Sequence, residues 1–301
     1  MSAVEEAGAA PRIGRGIVAM ILAMALFSSM DAMIKHLRTD YGALQILFFR
    51  MAFGAVPMLA LIRAEGGLPA LATHRLPAHA FRTVLTLAAL FCFFHAFRAL
   101  PLADAYAITY ASPLIATALS VPLLGERVDA RRWAAVLVGL GGVMVILRPG
   151  GGVLSAGGAV AFAGAVLLAV NVVLLRRLSR TDTNAAIVFY FTVVGTLVTG
   201  ALMPLVWRWP QGGDWAWLVG VGLIGGLGQI AITEAFRQAP VAVVSPFQYS
   251  QILWGILFGY AVFGDLPGLP VVAGAALIVA CGLYVLRRET AGRRQAGERM
   301  D

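Results

Sequence analysis

Residues 95–114, HAFRALPLADAYAITYASPL, open a stretch that returns 139 positions later as EAFRQAPVAVVSPFQYSQIL, residues 234–253. The alignment runs without a gap to residues 148 and 287, with 11 of its 54 columns identical. Among these are Arg98/Arg237, Pro101/Pro240, Tyr110/Tyr249, Gly125/Gly264 and Arg148/Arg287. Shared Leu and Ala carry little weight in an apolar chain; shared Arg, Pro, Tyr and Gly in register carry more. The chain is one design written twice.

The medium in which the two copies sit follows from composition. Of 301 residues, 60% are hydrophobic and only 13% charged, and the mean hydropathy is +0.84. A soluble chain carries about 25% charged residues. Apolar stretches of roughly 20 residues match the length that crosses about 30 Å of hydrocarbon as a helix. No polar helix face recurs, which argues against a very apolar soluble helical protein. The net charge of +8 would suit nucleic acid. The basic residues, however, stand one to three at a time between apolar spans, a pattern of membrane topology rather than of phosphate binding. Cys92 and Cys281 lie inside apolar spans without a Cys or His at ligand spacing, so neither a metal nor a disulfide framework is indicated.

Ten spans are read at 16–36, 42–62, 79–98, 103–124, 132–148, 155–175, 185–207, 215–236, 241–263 and 269–286. The expected fold is all-α, with a tail at 1–14, a first five-span repeat at 15–149, a second at 150–288 and a tail at 289–301. Both tails are expected to be irregular. Seventeen Lys and Arg residues, Arg82 counted among them, fall on the side of the amino terminus. Five fall opposite (Lys35, Arg38, Arg98, Arg148, Arg208), and Arg50 is left inside a span. The positive-inside rule then places both termini in the cytoplasm. Because five is odd, the second half crosses the membrane in the opposite sense. This is an inverted-topology repeat, a usual signature of a transporter.

Polar side chains inside such spans face a cavity or one another. Asp31 and Arg50 lie on adjacent antiparallel spans, roughly 9 and 12 Å below the outer surface at about 1.5 Å per residue. They serve either as a gate or substrate anchor, or as a structural ion pair. His95 and Glu234 hold equivalent positions before the two Ala-Phe-Arg triplets. They are proton-exchange candidates, set against a plainer reading in which Glu234 pairs with Arg237. Tyr106, Thr109 and Ser112 fall at i, i+3, i+6, as do their counterparts Ser245, Gln248 and Gln251, each stripe flanked by the shared Tyr110 or Tyr249. Pro113 and Pro246 loosen the backbone nearby. These stripes read as walls of a central pathway or as interhelical glue. Gln229 and Asn171 are weaker candidates of the same kind.

Other patterns do not survive inspection. Gly220, Gly222 and Gly225 fit a dinucleotide fingerprint but follow no strand; they, with Gly226, read as small-residue helix packing. His74 and His79 sit in a loop without further metal ligands. No nucleophile elbow, phosphate loop or catalytic acid–base cluster is present, so no enzyme and no cofactor are expected.

Ser112-Pro113, Leu124-Gly125-Glu126-Arg127 and Gly139-Leu-Gly141-Gly142-Val-Met-Val resemble the EamA-type repeat of the drug/metabolite transporter superfamily. Ser28-Ser-Met-Asp31 and Gln45-Ile-Leu-Phe-Phe-Arg50 resemble the start of the same domain. The second copy departs from the pattern, with Asp265 in place of Glu and Ile252 where the first has Pro113. Pro101-Leu-Ala-Asp104 with Ser245-Pro-Phe-Gln-Tyr249 is similar to the branch of S-adenosylmethionine and riboflavin carriers. The resemblance implies a carrier in a bacterial inner membrane, with a cavity lined by spans 1, 3, 4, 6, 8 and 9, and with spans 5 and 10 peripheral. It implies an ionic structural role for Gly125-Glu126-Arg127. The expected partners are a small polar or amphipathic metabolite and the lipid bilayer. Protons as a coupling ion and a second copy of the chain in a homodimer are further candidates.

Overall fold

In hydrocarbon a backbone N–H or C=O finds no water, so each segment closes its hydrogen bonds on itself. The chain, described here by a computed structural model over residues 3–37, 40–100, 107–150, 154–263 and 268–297, is 84% helical, with no strand among the described residues. The helices are α1 (Ala3–Leu37), α2 (Ala43–Ala64), α3 (Leu76–Ala99), α4 (Ser112–Leu124), α5 (Ala130–Leu147) and α6 (Ala156–Leu178). They continue with α7 (Asn184–Ala201), α8 (Asp214–Gln238), α9 (Val241–Gln248), α10 (Ser250–Phe263) and α11 (Leu269–Gly297). Among the described residues, nine segments are long and apolar enough to span a bilayer, and Leu269–Val285 is a shorter apolar tenth. Helix starts follow from local chemistry. Ser155, Thr183 and Asp129 each accept a hydrogen bond from the backbone N–H three residues on, satisfying an otherwise orphan donor. Gly125 ends α4 at φ +67, a left-handed cap that favours glycine.

Two expectations need correction. The tails are helical where irregular chain was expected: α1 begins at Ala3 and α11 runs to Gly297. Ala, Glu, Arg and Gln are good helix formers, and extending a helix that already exists avoids the cost of nucleation. The ninth span is two helices rather than one, interrupted at Tyr249. The fourth is interrupted at its counterpart, where residues 107–109 are helical and a turn at Tyr110 and Ala111 precedes α4.

Packing between the halves is reciprocal under the 139-residue offset. α1 packs on α8, and their counterparts α6 and α3 pack on each other; α4 packs on α6, as α1 packs on α9 and α10. α2 with α7 and α5 with α11 are each their own counterparts, whereas α2 packs extensively on α8 and the counterpart pair, α7 with α3, packs more lightly. Atomic contacts repeat the pattern. A Cβ on Gly142 would lie 2.8 Å from the Gly274 carbonyl, while the Cys281 thiol donates to the Ala135 carbonyl at 2.8 Å. Residues 142 and 281, like 135 and 274, are repeat mates. The rings of Tyr110 and Tyr249 meet with centroids 6.3 Å apart. On α8, Gly222 and Gly226 let the backbone close onto Phe53, Gly54 and Pro57 of α2, so these glycines are packing positions.

Polar contacts tie the helix ends together. At one end Tyr41 donates to Asp214 at 2.6 Å, and the Gln45 side chain pairs with the backbone of Arg208. At the arginine-rich end Glu126 faces Arg176 at 3.5 Å and accepts from the Val241 N–H; Glu65 accepts from the Ala185 N–H and faces Arg237 at 3.5 Å. There too Asp182, in the α6–α7 turn, accepts from Thr73 at 2.7 Å and bonds His79 at 2.6 Å. His79 is thus a buried residue of the first turn of α3, not a loop residue. Burial alone would raise the Asp182 carboxyl, but the bonds from Thr73, His79 and Thr181 outweigh it and hold the group below the usual carboxylate range.

Gly142→Ala should destabilise the purified protein by about 1–3 kcal/mol, because the opposing atom is rigid backbone. Gly141→Ala, with nothing within 4 Å of its Cβ position, should be neutral; thermal unfolding in detergent compares the two. Asp182 has a depressed folded pKa, so its contribution is complete above the unfolded value of about 3.9 and vanishes as pH falls through the folded value. Asp182→Asn should therefore lower the unfolding midpoint at pH 7, and the gap to wild type should narrow on acidification below about pH 4.

Candidate substrate pathway

A site for a polar ligand inside an apolar bundle needs polar groups that the fold leaves incompletely paired. The structure places one such set where α1, α2, α8 and α10 converge. Asp31, two turns from the end of α1, is exposed despite lying in a span, and its carboxylate accepts from Gln251 Nε2 of α10 at 3.0 Å. Arg50 of α2 lies within electrostatic reach of Asp31 but makes no ion pair with it inside 4.0 Å. Its guanidinium carbon sits 5.7 Å over the Phe27 ring of α1. Gly225 of α8 provides the room, since a Cβ there would come within 3.1 Å of the Arg50 stem. Two opposite charges are thus held within electrostatic reach of each other without closing into an ion pair.

The stripe of α9 and α10 continues from this point. Gln251 is bonded to Asp31, whereas Gln248 Nε2, Ser245 Oγ and Tyr249 Oη are buried without a protein hydrogen-bond partner. An unmade hydrogen bond of this kind costs about 1–3 kcal/mol, and three of them cluster at one helix interruption. That interruption has a local cause. Pro246 has no N–H to give, and the Tyr249 N–H bonds the Pro246 carbonyl three residues back. Tyr249 itself points away from Asp31, fully buried, with Gly139 of α5 leaving its ring the necessary space. Tyr110 packs on it. The tyrosine pair therefore sits in the packing beneath α5 and α11. Thr109 is half-buried, Ser112 is buried at the start of α4, and Tyr106 lies outside the described residues.

The remaining predicted residues are dispersed. His95 is exposed near the end of α3. Glu234 accepts from Asn184 at 3.3 Å and from Gln238 at 2.5 Å; the expected partner, Arg237, faces Glu65 instead. Among the described residues the Gln229 side chain reaches only Thr233, at 3.5 Å. Asn171 accepts from Arg82 Nε at 3.2 Å. Arg82 had been counted among the charges flanking the spans, yet it is 2% exposed inside α3. Charge counting cannot separate an arginine one turn outside a helix end from one almost two turns inside it. His79 and Asp182 were missed because they are 103 residues apart. Among the described residues no group of three metal-ligating side chains occurs.

Comparisons with known proteins agree with this architecture. The model of the EamA-like transporter family matches residues 14–148 and again 155–287. The pseudopaline exporter of Pseudomonas aeruginosa is 32% identical over 277 residues, covering 90% of this chain and 96% of the exporter. The riboflavin transporter of Vibrio cholerae is 30% identical over 196 residues, 65% of this chain and 66% of that protein. The S-adenosylmethionine uptake transporter of Rickettsia felis is 23% identical over 274 residues, covering 91% and 93% of the two chains. A solved crystal structure superimposes with a TM-score of 0.78 at 20% identity, covering 91% of this chain and 98% of the other, which is a likeness of fold. With two copies of the family's repeat along one apolar helical chain, and a metabolite exporter aligned over nearly its whole length, this protein belongs to the EamA-like transporter family.

Proposed function

We propose that the chain is a secondary carrier that moves a small polar or amphipathic organic metabolite across the bacterial inner membrane by alternating access. The observation that carries this reading is the open, incompletely paired set formed by Asp31, Arg50 and Gln251, continuous with the unsatisfied Gln248 and Ser245. A zwitterionic or hydrogen-bonding molecule would complete these partners, and helix interruptions lining a cavity are how transporters build such sites. The two halves, 15–149 and 150–288, act as inverted repeats with both termini cytoplasmic. The reciprocal packing under the 139-residue offset supports this arrangement, as does the gathering of Glu126, Arg176, Glu65 and Arg237 at one end. Rocking takes place about the seam of α5 and α11, where Tyr110 meets Tyr249. The relatives include both an exporter and uptake carriers, and direction is assigned only by flux.

In proteoliposomes, a metabolite panel that includes riboflavin, S-adenosylmethionine and amino acids should yield at least one transported member. Gln251→Ala and Gln248→Ala should each lower that flux by about tenfold, the worth of one hydrogen bond, with folded protein retained. Unchanged flux in both would remove the stripe from the pathway. Proton coupling predicts that an imposed pH difference drives accumulation and that Asp31→Asn abolishes this drive. Flux indifferent to the gradient would leave Asp31 an anchor only.

A further inference from the structure

Arg82 is not used in the scheme above, and its surroundings are unusual for a cation in a membrane span. It lies six residues into α3, about 9 Å along the helix from Leu76, and is the largest fully buried side chain among the described residues. Nε donates to Asn171 Oδ1 of α6 at 3.2 Å, and the guanidinium lies 4.9 Å over the Phe191 ring of α7. Its two terminal amino groups have no hydrogen-bond acceptor among the described residues, and no carboxylate lies within 4.0 Å. Asp182, which bonds His79 three residues before Arg82, is already engaged by Thr73, His79 and Thr181. The neutral amide and the aromatic face orient the guanidinium without neutralising it. A desolvated charge without a counter-ion is costly, and the planar fork of an arginine matches a carboxylate or phosphate in bidentate geometry. Asn171 is only partly buried.

We propose that Arg82 and Asn171 form a binding locus for an anionic group, carboxylate or phosphate, of the transported molecule. The inference rests on the carrier reading and narrows the cargo to molecules bearing at least one such group. It sets two stations along the path. Asp31 with Arg50 receives a zwitterionic or mixed-charge end in one half of the membrane, and Arg82 receives an anion in the half nearer the arginine-rich end. Asn171 stands near the repeat counterpart of Asp31, one residue displaced, so the two stations are the duplicated versions of one position. In the first copy that position carries the charge, whereas in the second the charge lies on the opposing helix.

The test uses the full chain purified in neutral detergent. Citrate, compared with chloride at matched ionic strength, should raise the unfolding midpoint by about 2–4 °C, and Arg82→Gln should abolish the rise. Asn171→Asp, which supplies an internal carboxylate to Arg82, should raise the midpoint without added anion and suppress the response to citrate. This variant decides the matter even if Arg82→Gln does not fold. Three results overturn the locus: no citrate effect on the wild type, a citrate effect that survives in Arg82→Gln, or an Asn171→Asp protein that neither gains stability nor loses the response. Stabilisation by added phosphatidylglycerol but not by citrate would assign the site to a lipid headgroup and overturn its role in the cargo path. In proteoliposomes Arg82→Gln should lower flux of anionic panel members at least tenfold while neutral members are spared. If no member crosses at all, the carrier reading fails, and the citrate response still decides the locus.

Discussion

Everything in this molecule answers to one constraint: inside hydrocarbon, a polar group that the protein does not satisfy has nothing else to bond with. The backbone meets the constraint by folding into helices, which explains the scarcity of irregular chain between helix ends. Glycines meet it a second time, at Gly142 with Gly274 and at Gly222 with Gly54 and Phe53, by letting helices approach until little space remains. The apolar bulk is then dense. Against that background, each incompletely paired polar atom stands out as a place where the fold has left chemistry undone.

Among the described residues, three of those places gather at one helix interruption, at Ser245, Gln248 and Tyr249. α9, with Ser245 and Gln248, packs on its counterpart α4, and the Asp31–Gln251 bond joins α1 of the first half to α10 of the second. In the proposed scheme a ligand between Asp31 and Gln251 contacts both halves at once. This is the geometrical condition for coupling their relative motion to occupancy, because a ligand shifts a conformational balance only through interactions that differ between the two states.

Much of this was legible in the sequence, for definite reasons. The span count, the duplication and the polar stripe of Ser245, Gln248 and Gln251 follow from hydropathy and helical periodicity, which are local properties. The bond from Gln251 to Asp31 joins residues 220 positions apart, yet both ends were identifiable as polar groups out of place. Arg82 was not, because arginine near a helix end is what membrane topology usually demands, and nothing local distinguishes a snorkelling arginine from a buried one. The His79–Asp182 bond was equally hidden, since each residue looks unremarkable beside its own neighbours. The tyrosine pair was marked by its shared register, and the structure places the two rings against each other, with room made by Gly139.

The seam of α5 and α11 has a history written in its contacts. Gly142 abuts the carbonyl of Gly274, and in the mirror position the Cys281 thiol abuts the carbonyl of Ala135. Residue i meets residue j and the mate of i meets the mate of j, the pairing rule of an isologous interface. In a true dimer both positions would have to change together, since a single gene would encode both. Within one chain the two positions are free to differ: glycine serves on one side, where backbones touch, and a larger thiol on the other, where a hydrogen bond fits. The same freedom shows in the interior, where one half carries Asp31 on its first helix and the other carries Asn171, which accepts from Arg82 across the bundle. A scaffold can keep its repeat in the packing while its interior departs from it.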